Sequence, residues 1–289
     1  MAEQGYRPGE PVAAGPLGSV LRALVHGNVV IAAAGGGVAV TSVAVLGLPG
    51  DPVPVAFVVV ATFLAYGLNR HWDRLEDATN LPGRRAFLHR HGRGLLAVGA
   101  IGYLAALGVA GLRRPWLVPL GLVPPVAVWL YSVWGLKRRL LLKNLVVGVV
   151  WGAIPVGMAL YHGVARWPAV VVLALLVAAL LTLAAAVFDI KDVAGDRAEG
   201  IRTIPLVYGI RRTKIAAAVA LGFVAVGTII ATVHLEWRFA ILLAYLPYVG
   251  GYLHGANPDR GPLFYGLVID GEHVAVGILA TLLLGAGWL

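Results

Sequence analysis

The chain has 289 residues, of which 59% are hydrophobic and 13% charged, with a mean hydropathy of +0.83 and no cysteine. Usage this apolar excludes an ordinary soluble domain and marks an integral membrane protein, while the missing cysteines exclude disulfides, thiolate metal sites and cysteine nucleophiles together. The net charge of +9 reads in such a protein as anchoring on the cytoplasmic side, so the lipid bilayer is the expected partner and nucleic acid is not.

Residues 1–27 carry Gly, Pro and scattered charges without the apolar core of a signal peptide, which predicts a cytosolic N-terminal lead. Apolar runs follow at 28–49, 52–68, 94–112, 116–134, 140–161, 167–188, 213–233, 238–254 and 263–289, each long enough to be read as one membrane-crossing helix of roughly 17–25 residues. The expected fold is therefore all-α: a polytopic membrane protein with nine transmembrane helices in a bundle around a central cavity, forming a single domain over 28–289. With the amino terminus in the cytoplasm, all of the 23 Lys and Arg residues except Arg113, Arg114, Arg166 and Arg238 fall inside. The positive-inside rule then fixes the orientation and sends the carboxyl terminus outside.

Two inside segments carry more than anchors. After the second run come Asn69, Asp73 and Asp77, spaced by four and so on one face of a helix. Carboxylate and amide oxygens in that arrangement suit a hard cation such as magnesium, which binds substrate phosphates through one or two carboxylates and keeps waters. The loop expected after the sixth run holds Asp189, Asp192 and Asp196, whose i, i+3, i+7 spacing again lines one helical face on the same side of the membrane. Asp73 and Asp77 precede Asp192 and Asp196 by the same interval, which hints at an internal repeat of a four-span unit.

These two stretches resemble the Asn-x-x-x-Asp-x-x-x-Asp and Asp-x-x-Asp-x-x-Gly-Asp-Arg-x-x-Gly-x-x-Thr-x-Pro motifs of the UbiA-type family of intramembrane prenyltransferases. The likeness extends to Tyr131, Ser132, Leu136, Lys137, Arg138, Arg139 and Asn144. Two departures stand out: Arg70 occupies a place where many members have an acid, and residues 78–85 follow the usual Pro-x-Arg-Pro pattern only loosely. The resemblance implies Mg2+-dependent transfer of a prenyl group from its diphosphate to an aromatic or lipid-like acceptor, by ionisation and attack on the allylic cation. It assigns one Mg2+ to Asn69, Asp73 and Asp77 and a second to Asp189, Asp192 and Asp196, with the diphosphate bridging them. Lys137 and Arg138, with Lys191 and Arg197, would bind the diphosphate, fixed positive charge being usually the largest catalytic contribution. Tyr131 would offer an aromatic face to the cation.

Other roles compete. Lys137, Arg138 and Arg139 serve equally as topology anchors, Tyr131 as an interfacial aromatic and Asn144 as a helix-to-helix hydrogen bond. Arg22 and Asn28 resemble family positions near the head-group site, and an anchor and a cap account for them as well. Asp270, Glu272 and His273 open the last apolar run: either Asp270 and His273 face an internal cavity and meet the acceptor, or the span starts only at Val274. Two other functions use the same features, a terpene cyclase of the same family acting on a prenyl diphosphate and an ion-coupled transporter. Acids at span ends rather than at the bilayer midplane speak against the transporter. The Asp-Gly-x-x-Ala-Arg signature of CDP-alcohol phosphotransferases is absent, since Asp270 and Gly271 are followed by Glu-His-Val.

Overall fold

The computed structural model describes residues 15–72, 82–132, 140–164 and 166–289, and every regular element among them is helical. In chain order these are α1 (Pro16–His26), α2 (Val29–Leu46), α3 (Pro52–Trp72), α4 (Pro82–Arg113), two 3-10 turns leading into α5 (Val123–Ser132), α6 (Leu142–His162), α7 (Trp167–Glu199), α8 (Ile204–Tyr208), α9 (Ile210–His234), a 3-10 segment (Trp237–Ala244) into α10 (Tyr245–Gly255), and a π-helical stretch (Phe264–Ile269) into α11 (Gly271–Gly285). Among the described residues, seven helices are long and apolar enough to cross a membrane.

Two expected spans differ from single continuous helices. The run at 116–134 is broken into 3-10 turns at Pro115–Leu117 and Pro119–Leu122 before α5, and the run at 238–254 begins as 3-10 helix before α10. The prolines explain the first, because each removes a backbone donor and clashes with the preceding turn, and Pro115, Pro119, Pro124 and Pro125 crowd that segment. A second difference is more useful: the segment after residue 188, expected as a loop, is the continuation of α7, which runs unbroken to Glu199. Asp, Lys, Ala and Arg are tolerated in a helix, and Gly200, in the left-handed conformation, ends it.

The core is built on α2, apolar on all sides and mostly buried, as expected of a helix enclosed by its neighbours. Lipid is as apolar as these side chains, so the gain is close packing rather than removal from water, and small residues permit it. A Cβ added to Gly277 of α11 would lie 2.5 Å from the Gly37 Cα of α2, and one on Gly152 of α6 would lie 2.7 Å from the Ala174 carbonyl oxygen of α7. Backbones meet at both crossings.

Antiparallel helices sort their polar residues to two ends. At one end Asp51 accepts hydrogen bonds from the Val53 backbone N–H (2.9 Å), the Tyr161 hydroxyl (2.9 Å) and Arg113 (2.7 Å). The Val53 amide foremost, with Tyr161 and Arg113, holds its carboxyl below the usual range against some desolvation. Beside it Arg166 pairs with Glu236 at 3.0 Å and donates to the Leu46 carbonyl at the end of α2 at 2.9 Å. This clasp gathers all four basic residues that the charge asymmetry sets apart: Arg114 donates to the Tyr161 carbonyl and Arg238 lies 3.6 Å from Glu236.

Candidate active site

At the opposite ends of the same helices lies a cavity of about 310 Å³. Its wall between α6 and α7 is apolar, with Val146, Val147, Val150, Leu181 and Ala184, and Ala127 and Val128 of α5 continue it. Tyr66, Tyr131 and Trp151 add aromatic surface. The polar end carries Asn28, Asn69, Arg70, Arg84, Lys143, Asp189, Lys191, Asp192, Asp196 and Asp270. Seven of these ten lie within a turn of a helix end, and Asp189, Lys191 and Asp192 lie further inside α7.

The α7 aspartates share this end because α7 stays helical through them. Asp189 is buried, pairs with Lys143 at 2.7 Å and accepts a hydrogen bond from the Asn144 amide at 3.1 Å. Asp192 pairs with Lys191 at 2.5 Å, and the Lys191 ammonium lies 5.7 Å and 5.9 Å from the ring centroids of Phe188 and Tyr265. Asp196 is buried, with one carboxylate oxygen lacking a hydrogen-bond partner among the described residues. Among the described residues no three His, Asp or Glu side chains close into a metal cage. Magnesium does not need one, since it keeps waters and uses few carboxylates, and the oxygen donors here, one with its acceptor capacity unfilled, fit it.

The sequence-derived candidates divide clearly. Asn28, Asn69, Tyr131, Asp189, Lys191, Asp192, Asp196 and Asp270 line the cavity. Asp73, Asp77, Lys137, Arg138 and Arg139 lie outside the described residues. Arg22, on α1, and Arg197, exposed on the last turn of α7, are not among the lining residues. Asn144 of α6 makes the expected helix-to-helix hydrogen bond, to Asp189 of α7, and meets the site through that contact. His273 is also absent from the lining: it is buried behind it, stacked on Trp151 at 5.6 Å, with its Nδ1 2.8 Å from the Tyr245 hydroxyl and its Nε2 3.2 Å from Glu272. The last membrane helix therefore starts before Val274, with Asp270, Glu272 and His273 inside the bundle.

Sequence reasoning missed Lys143, Arg84, Tyr66 and Trp151. A lysine at the start of a span reads as an anchor, and only its position beside Asn144 signals otherwise. Asn28 owes its place to a left-handed backbone, φ 62°, which Asn tolerates better than most residues and which turns the chain from α1 into α2.

Comparison with known proteins supplies three findings. Residues 28–260 match the model of the UbiA prenyltransferase family. The chain is 35% identical over 231 residues to the digeranylgeranylglyceryl phosphate synthase of Natronomonas pharaonis, covering 76% of this chain and 75% of that one, and 30% identical to the synthase of the same name from Thermococcus kodakarensis, covering 73% and 74%. Its fold matches a UbiA homologue from Aeropyrum pernix K1 with a TM-score of 0.68 at 17% identity, over 91% of this chain and 99% of that one. It also matches a UbiA homologue from Archaeoglobus fulgidus bound to GPP and Mg2+, with a TM-score of 0.63 at 11% identity over 90% and 99%.

Proposed function

The chain belongs to the UbiA prenyltransferase family, and from that premise we propose that it joins a prenyl group, taken from a prenyl diphosphate, to a lipid-like acceptor, most closely a glyceryl phosphate. The observation that carries the reading is the cavity itself: carboxylates and cations at one end, an apolar and aromatic chamber at the other. An amphiphile with an anionic head and an isoprenoid tail fits that polarity. The relatives named as digeranylgeranylglyceryl phosphate synthases support a glyceryl phosphate over an aromatic acceptor.

Mg2+ would be held by Asn69, Asp73 and Asp77 on one side and Asp189, Asp192 and Asp196 on the other, and when bound it neutralises charge on the departing diphosphate. The chain's own residues prepare that step. Lys143 and Asn144 fix the Asp189 carboxylate at both of its oxygens, and Lys191 fixes Asp192. Lys137 and Arg138 supply further positive charge to the diphosphate. The α5, α6 and α7 wall holds the tail and excludes water, so the allylic cation meets the acceptor before it meets solvent. Tyr131 presents a ring to that cation. Asp270 receives the acceptor's hydroxyl, whose proton leaves as the new ether bond forms.

In this reading the helices cross the membrane with the amino terminus and both aspartate segments facing the cytoplasm, and the broken segments 115–132 and 237–255 would complete nine spans. The test is incubation of purified protein with Mg2+ and prenyl diphosphates of several lengths, with and without glyceryl phosphate, quinone-precursor and phenolic acceptors. Acceptor-dependent prenylated product supports the reading. A cyclic isoprenoid formed without any acceptor replaces it with the terpene-cyclase alternative.

A further inference from the structure

Behind the cavity wall lies a polar group that the proposed reaction leaves unused. Glu272 and His273, in the first turn of α11, are 0% and 2% exposed. Ionisable side chains kept inside a membrane bundle cost free energy, so their presence calls for a role. His273 is held at both ring nitrogens: Nδ1 lies 2.8 Å from the Tyr245 hydroxyl of α10, and Nε2 lies 3.2 Å from a Glu272 carboxylate oxygen. Contacts at both ends fix the rotation of the imidazole. The face of that fixed ring stacks on the indole of Trp151, with centroids 5.6 Å apart and planes 29° from parallel.

Glycine brings these helices together. On α2, Cβ atoms added to Gly35 and Gly36 would lie 2.5 Å from Thr62 Oγ1 and 2.7 Å from Val59 Cγ2 of α3, while one added to Gly37 would strike the His273 carbonyl of α11. Val59, Thr62 and Tyr66 follow the i, i+3, i+7 pattern, so the face of α3 that meets α2 continues to Tyr66. The Tyr66 ring meets Trp151 at 6.5 Å and 76°. Trp151 is 4% exposed, and with Tyr66 it lines the cavity, so the indole stands between the fixed imidazole and the chamber. Side chains on a helix lean toward its N-terminus, and α6 begins at the polar end of the cavity with Lys143 and Asn144. The indole therefore leans from the apolar wall toward the diphosphate end. Tyr66 is within electrostatic reach of Asp270, which places both rings beside the residue assigned to the acceptor hydroxyl.

We propose that Trp151 is a catalytic residue of the prenyl transfer, its indole stabilising the allylic cation, and that His273 and Glu272 are positioning residues that hold the ring in place. This rests on the prenyl-transfer reading and adds a second ring to Tyr131. In the step, the C–O bond of the prenyl diphosphate breaks and its electron pair leaves on the diphosphate. The acceptor oxygen then supplies the pair for the new C–O bond, and its proton passes to solvent water. Trp151 forms no bond and acts on the charge that exists between these two events. An aromatic face attracts a cation, Trp more than Tyr or Phe, and the attraction grows as water is excluded. Positive charge behind the indole would oppose it. Glu272 prevents that, because the carboxylate and imidazole carry no net positive charge while they share one proton or none.

The experiment uses the full chain in micelles with Mg2+, geranylgeranyl diphosphate as donor and a monoprenyl glyceryl phosphate as acceptor. It reads the single-turnover rate, which separates chemistry from binding and product release. Trp151 is replaced site-specifically by mono-, di- and trifluorotryptophan, which keep its shape and drain the ring face stepwise. The rate should fall with each fluorine, about tenfold over the series, while the KM of the donor changes by less than about twofold. The same series at the exposed Trp288 should be flat. His273→Gln should slow the step and flatten the fluorine dependence at position 151, since the indole is no longer held. Tyr245→Phe, which removes only the hydrogen bond at Nδ1, should do the same to a smaller extent and decides the matter if His273→Gln does not fold. A flat series at position 151 in an active enzyme overturns the catalytic role. So does a series that changes only the KM of the donor, which would make Trp151 a wall for the tail. Full fluorine dependence in both His273→Gln and Tyr245→Phe overturns the positioning role. No Mg2+-dependent consumption of any prenyl diphosphate would instead overturn the prenyl-transfer reading, and this inference with it.

Discussion

Lys143 and Asp189 offer a quantitative test of how the site is held. The pair is 2.7 Å apart, with the aspartate side chain 3% and the lysine 19% exposed. At an effective dielectric of about 20 the Coulomb attraction at that distance is roughly 6 kcal/mol, most of which repays the cost of taking both charges from water. Lys143→Met removes the repayment and leaves Asp189 buried with only the Asn144 hydrogen bond. The expected loss of stability is about 3 kcal/mol, the lower part of the range for breaking a buried pair, because Lys143 keeps some contact with water. Asp189→Asn keeps shape and hydrogen-bonding capacity without the charge, so Lys143→Met with Asp189→Asn should return to within about 1 kcal/mol of wild type. The coupling energy between the two positions is then roughly 2–3 kcal/mol. Unfolding in mixed micelles measures all four corners of the cycle, and Mg2+-dependent turnover is followed in parallel. The double variant should be stable and inactive. Additive destabilisation, with no recovery in the double variant, would refute the claim that Lys143 is there to hold Asp189.

Three other predictions follow different links. If both aspartate sets serve one diphosphate, Asp73→Ala and Asp192→Ala should each abolish most Mg2+-dependent turnover, and their combination should be little worse; multiplied losses in the double variant would separate the sets into independent sites. Gly277→Ala drives a Cβ to 2.5 Å from the Gly37 backbone and should cost about 1–3 kcal/mol or more in thermal stability, whereas Gly222→Ala, in open space within α9, should be neutral or stabilising. The natural chain has no cysteine, so Arg90→Cys and Arg212→Cys can be labelled without background; both should react from the cytoplasmic side and Gly50→Cys from the other, and labelling of 90 and 212 from opposite faces would break the shared site.

How far the sequence reaches can be seen residue by residue. Asp189, Asp192 and Asp196 were legible because helical spacing is written into the chain, and the cavity duly receives all three. The continuation of α7 beneath them was not, since charges and Gly195 after an apolar run look like a loop until the left-handed Gly200 is seen to end the helix. The seven long spans follow from apolar length alone. Hydropathy is blind to hydrogen-bond period, so the 3-10 turns at Pro115–Leu117, Pro119–Leu122 and Trp237–Ala244 escaped, though the prolines near the first two pointed that way. His273 shows a different limit: it lies three positions after Asp270, yet only Asp270 reaches the cavity, while Trp151 covers the histidine. Lys143 and Arg84 carry no local mark that separates an ion-pair partner or a buried guanidinium from a topology anchor.

The length of α7 has a thermodynamic consequence. Its 33 residues span about 50 Å against roughly 30 Å of hydrocarbon, so a helix rooted in the clasp at one membrane face carries its aspartates to the level of the lipid head groups at the other. On the proposed prenyl-transfer reading, bond breaking is thereby placed on a phase boundary. The diphosphate fragment, once released, is soluble only in water, and the prenylated product, having gained apolar carbon, only in the bilayer. The two products leave in opposite directions, and each is diluted into a phase the other cannot enter. Recombination then requires both to return to one small cavity, so the geometry of a single helix helps to make the transfer run one way.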